Sequence, residues 1–487
     1  MTNLVIWLTP IWLLSIGATI GTLALLTIWA VVALINRKAA RSIWSSVRES
    51  ILLPVSYTLA ALAALAILAT PLMPYDRMLS SLQRLPHVGS MEVEIEVKAG
   101  QEDEAVNIQF RTDELLSYTI ESEQEIAVNV EKGKGLAEPL VLVEGGQLYR
   151  WSPGSNLARG FEENVQQLYI SNESDLPTVV KATFNTDVEM PEVHDMPVVA
   201  ASVVGLFFIF LLIRWLTPRV SIIATATAKE AISQPLFILL TVVGVAALIA
   251  YIYIPYNTFG EDVKMLKTSG MTTIKVLAII VALWTASVSV SDEIEGRTAL
   301  TVLSKPIGRR QFIMGKFLGI IWPILLLFII LGIIFLLTVS YKVVYDARES
   351  AKVAPTWQLC YSEVVRIVPG LVLAFYEAVI MAAISVAIST RLSMIPNLVI
   401  CGSIYVLGHL GPLIVKSSAG DIVFVKFIGR LISVMLPVLD HFEIEGAIAG
   451  AATVPPEYLW TALLYSVLYC TAAMLLALIF FEDRDLA

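Results

Sequence analysis

The sequence is poor in charge, cysteine and histidine. Only 15% of the 487 residues are charged, whereas soluble domains carry about 25%. The three cysteines and four histidines are dispersed along the chain, and none of them has the spacing of a disulfide framework or a metal site. The mean hydropathy of +0.76 indicates a membrane protein instead.

Nine apolar runs are long enough to cross a hydrocarbon core of about 30 Å, which takes about 20 helical residues. They cover residues 11–35, 51–74, 197–216, 236–254, 272–290, 317–339, 367–389, 396–415 and 458–481. The first run is too long for a signal peptide, so we expect a retained anchor. The basic cluster in residues 37–48 favours the cytoplasm, which predicts an outside amino terminus and, after nine crossings, a cytoplasmic carboxyl terminus.

An acidic segment separates the second and third spans. Residues 76–195 hold 23 acids and 9 bases. The stretch "MEVEIEV" alternates apolar and acidic residues, and "AVNIQF", "LSYTI", "IAVNV" and "LVLVEGGQLYRW" follow between polar turns. This pattern predicts an inserted antiparallel β-domain, a sandwich, which crossing parity puts outside the cell. Its acidity fits a solvated surface, and also a face that binds a cationic partner.

A charged strip, "SDEIEGRTALTVLSKPIGRRQFIMGK", joins the fifth and sixth spans. Below, "the strip" means these residues, 291–316. The acids suit the first turn of a helix, Pro306 ends that helix, and the bases begin a second helix. It is not a phosphate-binding loop, because six residues separate Gly308 from Gly315 where four are required and Phe317 replaces Ser or Thr. The strip is expected to present a charged face to a cytosolic partner, or to be only a solubilising connector.

At these residues the sequence resembles the permease subunits of the type-2 ATP-binding-cassette exporter family. That family has an acidic "E-x-E-x-x-T" stretch followed by "L-S-K-P-I-x-R" and then "G-K". The matches here are Glu293, Glu295, Thr298, Leu303, Ser304, Lys305, Pro306, Ile307, Arg309, Gly315 and Lys316. The stretch "AKEAI" before the fourth span and the ending "FFEDRDL" are also similar to the family. The resemblance covers about residues 222–487.

The resemblance implies an all-α polytopic membrane protein with a six-span permease core. The expected domains are two N-terminal spans (1–75), the extracytoplasmic β-domain (76–195), a third span (196–220) and the core (221–487). Within the core, the resemblance implies an amphipathic interfacial helix over residues 221–234 and a coupling segment over the strip. The first 221 residues depart from a minimal family member, and the resemblance assigns them no role.

The resemblance also implies partners. A separate ATPase subunit would bind ATP and magnesium, and no cofactor is expected on this chain. The chain itself would be a non-catalytic subunit in the cell (inner) membrane. A second permease copy or homologue is expected, and no nucleic acid. Residues expected to contact the ATPase are Glu293, Glu295, Thr298, Lys305 and Pro306; Arg309, Arg310 and Lys316 are expected to anchor the strip to lipid head groups. The substrate cannot be read.

Glu377 is the one acid well inside a predicted span. An ionised carboxylate there is costly, so Glu377 is expected to face the bundle interior, paired or protonated, with His409 of the next span as a candidate partner. A structural hydrogen bond and a role in transport both stay open.

Two other functions remain open. One is a membrane scaffold or receptor whose β-domain binds a partner. The other is an ion-coupled secondary transporter, which the sequence favours less because it shows no internal repeat and few charges near the middle of its spans. An ATPase encoded by an adjacent gene, or one that co-purifies with the chain, would separate the permease from both alternatives.

Overall fold

A computed structural model describes most of the chain. The described residues are 3–134, 138–155, 160–161, 164–254, 261–295, 308–416, 427, 431, 436–450 and 453–482. For residues 3, 292, 295, 411–416 and 449 only the backbone is described. The chain forms two compact units, a helical unit of Met1–Ala69 with Val198–Ala487 and a β-unit of Thr70–Pro197.

The described residues include fourteen α-helices of five or more residues. In chain order they are α1 (Asn3–Ile35), α2 (Arg37–Arg48), α3 (Leu52–Ala69), α4 (Tyr75–Arg84), α5 (Asp195–Leu216), α6 (Pro218–Ser233), α7 (Pro235–Tyr253), α8 (Asp262–Ala286), α9 (Arg309–Glu349), α10 (Trp357–Val365), α11 (Val368–Ser389), α12 (Met394–Lys416), α13 (Glu445–Ala449) and α14 (Pro456–Glu482).

The described residues contain eight helical segments that are long and apolar enough to cross a membrane. They correspond to eight of the nine predicted spans. The ninth, residues 396–415, coincides with α12, of which only the shorter stretch Met394–Leu410 is apolar by the same measure. Helices α8, α9 and α11 are the most deeply buried spans, so they form the centre of the helical unit. The prediction of a polytopic α-helical protein is confirmed.

Helix α6 is the segment predicted as an interfacial helix. It starts with Pro218, a residue that suits the first helical turn because its missing N–H would be unpaired there anyway. Its buried face packs along the beginning of α9, where two glycines leave room for it. A Cβ on Gly319 would lie only 2.7 Å from Cβ of Thr227 and 2.8 Å from the carbonyl oxygen of Ala224. Small residues of this kind allow two helix backbones to approach closely.

The described residues of the β-unit form eight strands. They are β1 (Ser90–Val97), β2 (Gln101–Val106), β3 (Leu115–Glu121), β4 (Ile126–Asn129), β5 (Val141–Val143), β6 (Leu148–Trp151), β7 (Leu168–Asn172) and β8 (Thr178–Thr186). One antiparallel sheet has the order β1-β8-β3-β6 and the other β2-β7-β4-β5. Apolar side chains from both sheets share one core, as in a sandwich. The predicted inserted β-domain is therefore confirmed as a fold.

The β-strands differ from the prediction in detail. In β1 the exposed acids alternate with partly buried apolar residues, which is the period-2 pattern of "MEVEIEV". Strand β2 consists of the acidic stretch "QEDEAV" and includes only the first two residues of the predicted strand "AVNIQF". It is an edge strand, so acids can point to solvent there. Strands β7 and β8 were absent from the predicted set although β8 alternates cleanly between buried and exposed positions.

Two buried polar groups stabilise the β-unit. Arg84, at the end of α4, donates two hydrogen bonds to the carboxylate of Glu114, at 2.8 and 2.7 Å. These bonds raise the pKa of Arg84 above its ordinary value. Tyr118 is fully buried and its ring stacks on those of Trp151 and Phe184. Burial raises the pKa of Tyr118 above its ordinary value of 10.0.

Candidate functional site

The helix that continues from α8 changes from α-helical to π-helical geometry just before the strip begins. After Ala286 the chain continues as a π-helical turn, Ser287–Asp292, and then one α-helical turn, Glu293–Glu295. Such π-turns are frequent at functional sites. Ser291 Oγ donates to the carbonyl oxygen of Leu392 at 3.1 Å, which ties the turn to the loop before α12. Thr298, Lys305 and Pro306 lie outside the described residues.

The two described ends of the strip meet in an ion pair. Lys316 Nζ lies 2.5 Å from Glu293 Oε1, and the exposed fractions of the two side chains are 5% and 24%. The ammonium also lies 5.6 Å from the centre of the Phe312 ring. The sequence predicts Lys316 at the lipid surface, but the structure instead buries it, because the nearby carboxylate compensates the desolvation of its charge. The pair connects the end of α8 to the first turns of α9.

The other two bases of the strip that the structure describes are exposed. Arg309 donates from Nη1 to the carbonyl oxygen of Glu482 at 2.8 Å, and its guanidinium lies 6.0 Å from the centre of the Phe481 ring. The ring of Phe481 stacks on Phe312 with their centres 5.7 Å apart. The start of α9 is thus attached to the end of α14. Arg310 is also exposed, and lipid anchoring by these two arginines remains a prediction.

A buried polar node lies beside the π-turn. The amide nitrogen Nδ2 of Asn397, a residue of α12, lies 2.7 Å from Ser287 Oγ, 2.8 Å from Ser385 Oγ and 2.9 Å from Ser389 Oγ. Cys401 Sγ donates to Asn397 Oδ1 at 3.2 Å. An amide has only two N–H donors for these three hydroxyl oxygens, so the contacts cannot all be hydrogen bonds at once. We call this group the Asn397 node; it joins the π-turn, α11 and α12.

A buried charge cluster lies deeper in the same helices. Lys275 of α8 extends its Nζ to within 3.7 Å of Glu377 Oε2 and 3.1 Å of Glu445 Oε1. Thr272 Oγ1 donates to Glu445 Oε2 at 2.6 Å. Lys275 and Glu377 are almost completely removed from solvent. We define the buried charge cluster as Lys275, Glu377, His409, Glu443 and Glu445.

His409 lies beside Glu377, as the sequence predicts for a candidate partner. Its Nε2 is 3.4 Å from Glu377 Oε1 and 3.8 Å from Glu443 Oε2. Its Nδ1 lies 3.0 Å from the carbonyl oxygen of Tyr405. Among the described residues, no group of three or more histidine, cysteine, aspartate or glutamate side chains has the arrangement of a metal site.

Buried lysines occur near the ends of the described spanning segments as well as within one predicted span. Four lysines of the spanning segments are buried, Lys267, Lys275, Lys316 and Lys342. Lys267 forms an ion pair with Glu363, and Lys342 donates to the carbonyl oxygen of Ile252 at 2.9 Å. Lys275 could have been found, because it is a base within the predicted span 272–290. Glu445 lies outside every predicted span and gives no such signal.

The comparison with protein families identifies the part of the chain that carries these groups. Residues 203–416 match the family model described as ABC-2 family transporter protein. No curated protein matches the chain significantly. The matched residues contain the π-turn, the Glu293–Lys316 pair, the Asn397 node and three members of the buried charge cluster, Lys275, Glu377 and His409. The resemblance indicated by the strip is thereby confirmed over residues 203–416.

Proposed function

We propose that this chain, which belongs to the ABC-2 transporter family through residues 203–416, is the permease subunit of an ATP-driven exporter. A separate ATPase subunit would bind ATP and magnesium and hydrolyse the nucleotide. The family match carries this proposal, since ABC-2 proteins are membrane components of such transporters. A second permease copy or homologue would complete the assembly.

The strip is the proposed docking segment for the ATPase. Its first end continues α8 and its second end begins α9, and these are two of the most buried spans. The Glu293–Lys316 pair joins the two ends directly. A force applied to the strip by a closing ATPase would therefore reach the centre of the bundle through packed helices rather than through a loose loop.

The proposed roles of Glu293, Arg309 and Arg310 follow from their contacts and exposure, whereas those of the other residues in the strip follow from the resemblance. Glu293 is mainly turned to Lys316, so we assign it to holding the strip's ends together. Glu295, Thr298, Lys305 and Pro306 are the proposed contacts with the ATPase. Arg309 and Arg310 are the proposed anchors to anionic head groups, where each base contributes about 1 kcal/mol.

The proposed orientation places the strip and the carboxyl terminus in the cytosol. The amino terminus and the β-unit would lie outside the inner membrane. This orientation rests on the basic residues within segments 37–48 and 305–316, because positive charge near span ends favours the cytoplasmic side. Labelling of single cysteines, introduced into a cysteine-free chain at residue 113 and at residue 230, tests it. Labelling of residue 113 only from the cytosolic side would overturn the orientation.

Association with an ATPase is the decisive experiment. The chain is co-expressed with a candidate ATPase, such as one encoded by an adjacent gene, purified, and assayed for co-purification and for ATP hydrolysis in proteoliposomes. Glu295→Lys should reduce co-purification at least tenfold, because an unpaired or like charge at a partly buried interface costs about 2 to 5 kcal/mol. Glu230→Lys, an acid reversed on the exposed side of α6, is the matched control and should behave like the parent.

Two results would contradict the proposal. One is a parent chain that binds no ATPase under these conditions. The other is equal loss of ATPase in Glu295→Lys and Glu230→Lys, which would mean that any charge reversal disturbs the chain and that the strip has no special role.

A further inference from the structure

The carboxylate of Glu377 is buried without a hydrogen bond. The residue is 0% exposed, and neither of its oxygens accepts a hydrogen bond from a described residue. Its nearest polar neighbours are Lys275 Nζ at 3.7 Å and His409 Nε2 at 3.4 Å. A bare carboxylate in apolar surroundings is strongly unfavourable, because it has lost its hydration and gained little in return.

The hydrogen positions on His409 follow from its other contact. Its Nδ1 faces the carbonyl oxygen of Tyr405 at 3.0 Å, and a carbonyl can only accept, so Nδ1 must carry a hydrogen. In a neutral imidazole Nε2 is then an acceptor with a free lone pair. That lone pair would face Glu377 Oε1, which is also an acceptor if the carboxyl is ionised. Two acceptors at 3.4 Å repel unless a proton lies between them.

We infer that Glu377 and His409 form a proton-binding site inside the helix bundle. One proton is held between Nε2 of His409 and Oε1 of Glu377. It sits either on the carboxyl, which then donates to the neutral ring, or on the ring, which then donates to the carboxylate. The two forms differ only in the position of one proton and have the same total charge. The inference goes beyond the proposed transport function and does not depend on it.

The other charged groups around the site do not supply enough positive charge to make this proton unnecessary. The described titratable groups that face it are Lys275 on α8, Tyr405 on α12, Glu443 just before α13 and Glu445 at the start of α13. Lys275 is closer to Glu445, at 3.1 Å, than to Glu377. Its single positive charge is therefore shared between two acids. Glu443 adds a third acid, although 46% of its side chain is exposed and water can solvate it.

The site is divided between helices that can move relative to one another. Glu377 is on α11, His409 on α12 and Lys275 on α8. Separation of α11 from α12 would leave the proton with only one of its two partners. Proton binding thus favours the packed arrangement, and acidification should stabilise it. By the same linkage, the stabilisation is lost as the pH rises and the proton leaves.

The first test locates the proton in the full chain in lipid bilayers without any ATPase. Infrared difference spectra detect a protonated buried carboxyl, and nitrogen NMR of labelled histidine detects a doubly protonated ring. At neutral pH we expect either the carboxyl band, lost in Glu377→Gln, or the doubly protonated ring, lost in His409→Gln. The matched control is Glu363→Gln, which removes an acid directly paired with Lys267 and should change neither signal.

An ionised Glu377 beside a neutral His409 at neutral pH would overturn the inference. The measurement on the parent chain alone decides this point, so it stands even if a variant fails to fold. Because no ATPase is present, a failure here is separate from a failure of the proposed transport function.

The second test measures stability against pH. The melting temperature of the full chain is recorded between about pH 5 and 8, the range in which histidine ordinarily changes charge. The parent should melt at a lower temperature at the higher pH. This difference should shrink by several degrees in Glu377→Gln, whose amide holds its own hydrogen at every pH, and should persist in Glu363→Gln. Equal pH dependence in the parent and in Glu377→Gln would contradict the inference.

Discussion

Removal of the Lys316 ammonium should loosen the strip from the bundle. Lys316→Met keeps the length of the side chain but leaves Glu293 without this ammonium partner. Loss of one partner of a buried ion pair costs about 3 to 5 kcal/mol. Since 24% of the Glu293 side chain reaches solvent, we expect the lower end, about 3 kcal/mol. This corresponds to about a hundredfold change in an equilibrium constant.

A charge exchange separates the contribution of the ion pair to stability from other effects of the two substitutions. Glu293→Lys alone places two ammonium groups at the same contact and should be the least stable variant. The double variant, Glu293→Lys with Lys316→Glu, restores opposite charges and should recover most of the loss. The assay is thermal melting of the purified full chain, followed by size-exclusion chromatography. Arg310→Gln, an exposed base at the start of the same helix, is the control and should melt like the parent.

The same variants distinguish two roles of Glu293. If Glu293 acts only within the chain, the double variant should regain both stability and ATPase association. If its carboxylate also touches the ATPase, the double variant should regain stability alone. The reasoning is refuted if Lys316→Met melts like Arg310→Gln, or if the double variant is no more stable than Glu293→Lys.

Three further changes test other contacts. Arg309→Gln removes the contacts with Phe481 and Glu482, worth about 1 kcal/mol, and should speed proteolysis at the end of α14; an unchanged rate would contradict the attachment. The isolated β-unit, residues 70–197, should give a β-rich circular dichroism spectrum, and Arg84→Met should lower its urea stability by about 3 kcal/mol, because Glu114 would stay buried without Arg84; a helical or unfolded spectrum, or equal stability, would be the contrary result. Above about pH 10 the same fragment should lose stability, because the raised pKa of Tyr118 keeps the folded phenol neutral while the unfolded one ionises; Tyr118→Phe should lose less, and identical curves would refute this.

Local patterns in the sequence explain the parts of the fold that could be predicted. Length and hydropathy of each apolar run are local properties, so all nine predicted runs coincide with helices, although α12 is only partly apolar. Alternation in "MEVEIEV" likewise predicts β1. The pairing order of the strands is different, because β1 pairs with β8, which lies almost ninety residues later. No local pattern records which strand a given strand will join.

The charged contacts could be predicted only in part for a similar reason. Glu377 and His409 were linked because each is a polar residue within an apolar run. Lys275 and Glu377 are about a hundred residues apart, and Glu445 is in a segment without any apolar pattern, so their convergence depends on how α8, α11 and α13 pack. The strip was interpreted as a charged surface from its internal pattern and its resemblance to the family. Its Glu293–Lys316 pair forms only because the first turns of α9 lie beside the turn that follows α8.

The positions of the node and the ion pair suggest how the strip would act on the bundle. Ser287, where the π-turn begins, is held by Asn397, and Glu293, directly after the turn, is held by Lys316. The turn between these two points has wider hydrogen-bonded rings than an α-helix, and π-bulges are among the usual sites of helix kinks. A displacement of the strip would thus reach α9 through the ion pair, while the π-turn absorbs it before the main part of α8. Lys275 lies about 27 Å from Glu293 along an ideal helix, on the far side of this turn. Under the proposed function, α9 would follow the ATPase first, and the buried charge cluster would respond only when α11 and α12 separate.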